Sequence, residues 1–260
     1  MQIDRIPHFR ILVMGRANAG KTTILQRVCN TTDQPEIFDG NGVKVCHYMK
    51  LNGAHIKLVQ RGVHIIEDEL VFQSNQQFVF HDSCGFEAGE EAEFDKMKKF
   101  VTEHAKATKL EKRIHAIWYC IPLNEMHRMV TAAEMKFFNE CDSGHVPVIV
   151  LLTKADTLSL DAFQELKKKG STVDDARKRA PEVGKEVQKC CLDKVKDWLD
   201  KLEFPPQNYL VLTSMQQKGA DCEELLKCTA SALTEEGLQG LLISSQQSNL
   251  GLCMEFAIMK

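Results

Sequence analysis

At 260 residues, with 43% hydrophobic and 27% charged side chains, the chain is long enough to bury most of its surface and has the composition of one elaborated soluble globular domain. Its formal net charge of −3 speaks against a nucleic-acid binder, which carries a basic excess. Ten cysteines are scattered without a CxxC pair, the first residues show no basic-then-apolar leader, and no apolar run approaches the roughly 20 residues that cross a bilayer, so the expectation is a cytoplasmic chain with reduced thiols and no transmembrane segment.

Taken in chain order, short apolar runs rich in branched residues recur as FRILVM (9–14), QFVFHD (77–82), RIHAIWYC (113–120), VPVIVLL (146–152) and NYLVLT (208–213). Such runs fit strands buried on both faces. TTILQRVCN, EAEFDKMKKFVTEHAKA and NEMHRMVTAAEMKFFNEC carry helical spacing between them. Strand alternating with helix predicts a parallel sheet with helices on both sides. Residues 37–76 depart from that rhythm: VKVCHYMKL, HIKLV and IEDELVFQ, set off by Asp39-Gly40-Asn41-Gly42 and Asn52-Gly53, predict extra antiparallel strands over 43–76. Residues 157–207, with Lys167-Lys168-Lys169-Gly170 and Pro181, predict two inserted amphipathic helices whose charges face solvent.

From Glu223 onward the pattern is helical, broken near Gly237 and Gly240. Leu238, Leu241, Leu242, Leu250, Cys253 and Phe256 form an apolar stripe that packs on the domain's own body or meets a second copy or a membrane surface. The expected architecture is α/β in one domain: a core over 8–235 with a mixed, mostly parallel sheet of about six strands, a helical insert over 157–207 and a C-terminal helical extension over 236–260.

GRANAGKT (15–22) fits GxxxxGK[ST] and lies between a strand pattern and a helix pattern, the setting such a loop requires. Its chemistry follows from backbone. Gly15 and Gly20 let the N–H groups of Ala17, Asn18, Ala19, Gly20, Thr22 and Thr23 curl around phosphate oxygens, while Lys21 places an ammonium on the outer phosphates. Thr22 can ligate Mg²⁺ through its hydroxyl, and a helix starting at Gly20 or Lys21 adds its positive end.

Asp82-Ser83-Cys84-Gly85 ends the second run, where a carboxylate can hold Mg²⁺ through water and the Gly85 N–H can meet a γ-phosphate. Thr153-Lys154-Ala155-Asp156 ends the fourth. There the Asp156 carboxylate can accept both the N1–H and the exocyclic amine of guanine, donors that adenine does not pair, with the Lys154 stem laid on the purine face. Thr213-Ser214-Met215 ends the fifth, offering a backbone N–H to the guanine O6. Each stretch falls at the carboxyl end of a predicted strand, where open α/β sheets bind ligands.

In these stretches the chain resembles the small P-loop GTPases. GRANAGKT matches their first motif, DSCG their DxxG, TKAD their [NT]KxD, and TSM an altered form of their SA[KL] motif. Within that class of TRAFAC G domains it looks similar to Era-like proteins, septins and chloroplast-import GTPases. RGVHIIEDEL, HDSCGFEAG and the SSQQSNLGLCMEFAI tail most resemble fungal G-domain proteins. The resemblance implies a three-layer α/β/α P-loop NTPase fold that binds GTP or GDP with Mg²⁺ and hydrolyses GTP slowly, switching loops around 33–64 and 83–96. The alternative it implies is a septin-like assembly module, a homodimer through the nucleotide face with little turnover.

Departures from the family pattern bear on catalysis. Between Thr32 and Asp82 there is no threonine to serve as the switch residue on Mg²⁺; Thr31 and Thr32 fall at the predicted end of the first helix, and Ser74 sits beside a predicted turn. Phe86 stands where Ras-like enzymes place the glutamine that orients water, and phenylalanine can make neither hydrogen bond. Asn18 occupies the position at which cation-stimulated relatives use an asparagine to help hold K⁺, or it is a turn former tolerating an unusual backbone angle. His64, Glu67, Glu69 and His81 are near enough to the switch regions to be weighed as water-positioning groups, against structural or exposed roles. Arg16 and Arg61 read as surface or backbone-contacting residues rather than catalytic fingers.

Overall fold

The five apolar runs become the parallel strands of one seven-stranded sheet. The structure is a computed structural model that describes residues 8–45, 48–51, 54–57, 65–83, 91–217, 219–220 and 222–245. Its strands are β1 (Phe9–Gly15), β2 (Glu36–Phe38), β3 (Tyr48–Leu51), β4 (Ala54–Lys57), β5 (Glu69–Phe72), β6 (Asn75–Asp82), β7 (Ala116–Pro122), β8 (Val148–Thr153) and β9 (Asn208–Val211). The helices are α1 (Lys21–Val28), α2 (Glu91–Ala105), α3 (Ala132–Glu140), α4 (Thr157–Lys168), α5 (Val173–Leu199), α6 (Glu223–Ala232) and α7 (Glu236–Ser244).

The sheet order is β2-β5-β6-β1-β7-β8-β9. β6, β1, β7, β8 and β9 run parallel, while β5 pairs antiparallel with β6 and β2 with β5. β3 and β4 form a separate antiparallel hairpin. Alternation along the strands divides the interior into two cores. Ile11, Val13, Phe80, Trp118 and Leu151 pack with residues of α1, α6 and α7. Leu12, Met14, Ile117, Tyr119 and Leu152 pack with residues of α2, α3 and α5. With both faces covered, every residue of β7 and β8 is buried, which is why those runs are continuous rather than alternating. Trp118 reconciles its indole with that burial by donating to Thr229 Oγ1 at 3.1 Å.

The inserted segment forms two helices as expected, α4 and α5, and the extra antiparallel strands over 43–76 are present as β3, β4 and β5. Other elements differ from expectation. β2 is an additional edge strand whose three residues are too few to carry a pattern. α3 starts at Ala132 rather than near 124 because both the N–H and the hydroxyl of Thr131 donate to Glu134 Oε2, a capping arrangement that starts the helix there. In the tail the break falls at 233–235, and Gly237 and Gly240 lie inside α7. Leu238 and Leu242 are buried in the core beside α6, with Leu241 packed against it, so this part of the stripe meets the protein's own body. Leu250, Cys253 and Phe256 lie outside the described residues.

Among the described residues no helix is long and apolar enough to cross a membrane. Cys29, Cys120, Cys141, Cys191 and Cys222 are buried, Cys228 is half-buried, and Cys190 is exposed. Because β6, β1, β7, β8 and β9 run parallel, the loops leaving β1, β6, β8 and β9 all emerge at one edge of the sheet.

Candidate phosphate and purine site

Gly15 ends β1 with φ 123°, a value that L side chains rarely adopt, and a Cβ there would lie 2.1 Å from the Cys120 carbonyl oxygen. Glycine is what lets the chain leave the sheet this close to β7. Asn18 (φ 59°) and Gly20 (φ 88°) are also left-handed, so the loop turns tightly before α1 begins at Lys21. The positive φ accounts for Asn18 as a turn residue, since asparagine tolerates that region better than other side chains. No side chain caps α1, so the N–H groups of Lys21, Thr22 and Thr23 remain directed at the loop. Ala17, Asn18 and Thr22 are exposed there, and Ala19 is buried.

Lys21 Nζ donates to the carbonyls of Gly15 (3.0 Å) and Arg16 (3.2 Å) and stands 3.8 Å from Asp82 Oδ1. The ammonium is thus held between the ends of β1 and β6. Asp82 is buried, and beside it the buried Ser83 hydroxyl has no hydrogen-bond partner among the described residues. An oxygen donor left over next to a carboxylate suits a hydrated Mg²⁺, whose retained waters need acceptors and donors around them. The Thr22 hydroxyl, the Asp82 carboxylate and the Ser83 hydroxyl therefore fit that ion.

Arg16 departs from its expected surface position: it is 6% exposed. Its guanidinium donates to Glu134 Oε1 (2.9 Å) and Oε2 (3.3 Å), to Glu125 Oε2 (3.3 Å) and to the Met129 carbonyl (3.0 Å). Glu134 is itself fully buried. A buried pair of this kind adds little net stability, yet losing one partner strands a charge in the core. Its structural effect is to tie the phosphate loop to α3 and the segment before it. The backbone contact anticipated for Arg16 is present, as the Met129 bond.

The candidate purine half is assembled from the loops after β8 and β9. Thr153 is buried, and its hydroxyl donates to the Ala19 carbonyl at 2.7 Å, which ties the turn after β8 to the loop after β1. Lys154 takes a left-handed φ of 58°, which turns the chain so that Asp156 leads into α4. Asp156 Oδ1 accepts the Ser214 N–H and Oδ2 accepts Gln216 Nε2, both at 2.9 Å. Burial alone would raise the Asp156 pKa, but these two bonds and the nearby Lys154 ammonium hold it below the usual aspartate value. It is a carboxylate at neutral pH. Arg27 of α1 braces the opposite wall, donating to the carbonyls of Met215 (2.7 Å) and Gln216 (3.2 Å).

The remaining expected residues divide into two groups. Gly85, Phe86, Arg61 and His64 lie outside the described residues. His81 is corrected from a water-positioning group to a core residue: it is 3% exposed, its Nδ1 lies 3.1 Å from the Ile66 carbonyl, and it packs on Phe100 and His104 of α2. Burial first, and then the Arg10 guanidinium, push its pKa down to about 3, so the ring is neutral. Glu69 pairs with Arg10 at 2.6 Å. Ser74 donates to the Cys29 carbonyl at the β5–β6 turn, the end of β6 remote from Asp82. Thr31 accepts the Asp33 N–H just past α1. Sequence reasoning did not assign roles here to Ser83, Arg27, Glu134 or Gln216. Only Ser83 and Gln216 carried a signal, by adjoining the DSCG and TSM stretches.

No protein-family model matches the chain, and no curated protein matches it in sequence. Among solved structures it is similar to a GDP-bound mutant of the S. thermophilus FeoB G-domain, at 13% identity and a TM-score of 0.41, covering 87% of this chain and 64% of that one. It is also similar to a mutation variant of SsGBP, at 13% identity and a TM-score of 0.40, covering 94% of this chain and 58% of that one. The chain thus spans less than two thirds of either solved protein. At such scores neither likeness bears on the chemistry of the site, which rests on the chain's own geometry.

Proposed function

We propose that the chain binds guanine nucleotide, GTP or GDP, with Mg²⁺, and hydrolyses GTP slowly so that its nucleotide state switches the loops around 33–64 and 83–96. The observation that carries this reading is the 2.7 Å bond from Thr153 to the Ala19 carbonyl. Through it the aspartate-bearing turn and the phosphate loop form one body, with the spacing between a phosphate chain and a base set by the sheet. Lys21 supports phosphate binding by its position between Gly15 and Asp82. Asp156 supports guanine, because a carboxylate accepts the paired N–H donors that guanine alone of the two purines presents. Thr22 and Asp82 would hold Mg²⁺, which when bound neutralises charge on the phosphates. A K⁺ ion assisted by Asn18 is the further part of the proposal and is read by comparing turnover in K⁺ and Na⁺.

Calorimetric titration with GDP and ADP tests the reading. GDP binds and ADP binds far more weakly; Lys21→Ala abolishes binding, and Asp156→Asn weakens GDP by about tenfold to a hundredfold, the range for a lost hydrogen bond to a charged group. GDP binding unchanged in both variants refutes it. Sedimentation of the GDP-bound and GTP-analogue-bound forms separates a monomeric switch from an assembly module.

A further inference from the structure

The purine half of the site is closed by the chain itself. Of the two contacts to Asp156, one comes from backbone and the other from a side chain. The Ser214 N–H belongs to a braced turn: Ser214 sits at φ 53°, its carbonyl accepts the Gln217 N–H at 2.8 Å, and Arg27 holds the next two carbonyls. That contact can persist when a base arrives, because each carboxylate oxygen has two lone-pair directions. The Gln216 contact is of another kind. Gln216 is exposed, its side chain turns about rotatable bonds, and its carboxamide NH₂ aimed at Asp156 Oδ2 is chemically what the exocyclic amine of guanine offers the same oxygen.

We propose that Gln216 is a tethered competitor for Asp156. Its carboxamide holds the carboxylate until a base with N–H donors displaces it, and so it sets nucleotide affinity and entry rate. This rests on the guanine-nucleotide reading above. The closed contact reduces affinity for a base that donates to Oδ2 by the fraction of molecules in which that oxygen is open. For one exposed charge-assisted hydrogen bond that factor is about threefold to tenfold.

The test titrates GDP and inosine diphosphate against the wild-type chain, Gln216→Ala, Gln216→Glu, Asp156→Asn and the Gln216→Ala/Asp156→Asn double variant, with association followed by stopped flow using a fluorescent GDP. Thermal unfolding checks that the variants fold. Both Gln216 variants, which cannot donate to Asp156, bind GDP about threefold to tenfold more tightly and associate faster. Inosine diphosphate, which lacks the exocyclic amine that contests Oδ2, binds more weakly than GDP and gains less from either substitution. In the Asp156→Asn background the gain disappears. Unchanged or weaker GDP binding in Gln216→Ala, while Asp156→Asn still weakens GDP, overturns the proposal and leaves the parent reading standing; so does a gain that survives Asp156→Asn. If Asp156→Asn changes nothing in the wild-type background, the guanine reading fails and this proposal fails with it.

Discussion

Gly15 and Gly20 occupy the same loop with positive φ, yet only one is hemmed in. A Cβ at Gly15 would meet the Cys120 carbonyl oxygen at 2.1 Å, whereas at Gly20 nothing lies within 4 Å. Gly15→Ala therefore combines backbone strain with a clash against the neighbouring strand and costs about 3 kcal/mol or more. Gly20→Ala carries the strain alone, about 1 kcal/mol. Urea unfolding midpoints check that order, and equal losses would contradict it. The glycine spacing of this loop was legible because the constraint is local. The fate of Arg16 was not, because its partner Glu134 lies on α3, far along the chain, and only folding brings a loop cation and a helix carboxylate into one buried pair. Gln216 was likewise silent, its partner Asp156 lying on another strand's loop.

Among the elements, α4 and α5 pack tightly at Gly184, where a Cβ would meet Ser159 Oγ at 2.6 Å and its Cα at 2.9 Å. Two effects compete in Gly184→Ala. Helix propensity favours alanine by about 1 kcal/mol, while overpacking against backbone costs about 1 to 3 kcal/mol and pushes the helices apart. Overpacking wins, so the variant loses stability in urea titration despite being a better helix former. A gain would mean that the helices separate without cost. The two helices were legible from their spacing, but a glycine in mid-helix looks unfavourable in sequence until the neighbour it admits is known. The start of α3 and the 233–235 break were misjudged for a related reason: a short cap or kink changes no periodicity.

Over the whole molecule, the two cores hold neutral histidines that acid must charge. His115 accepts the Arg10 N–H at Nδ1 (3.1 Å), so its proton is on Nε2, facing the Leu110 carbonyl at 3.2 Å. Burial pushes its pKa down to about 4, and that of His81 to about 3, from 6.5. Below pH 6.5 the unfolded chain binds protons that the folded chain refuses, so stability rises with pH; it is full above 6.5 and falls as pH drops toward about 4 and about 3. Each histidine contributes a slope of up to about 1.4 kcal/mol per pH unit. Urea midpoints at neutral and mildly acid pH should show the fall, and His81→Gln with His115→Gln should flatten it. What the sequence determined by itself was everything encoded over short distances: five parallel strands from continuous apolar runs, the tight loop after β1 from its glycines, the strand-end placement of Asp82 and Asp156. Only the tertiary structure decided which side chains those positions meet. The bonds of Thr153 to Ala19, Arg16 to Glu134 and Gln216 to Asp156, and the burial of His81, depend on packing between segments that no local pattern brings together.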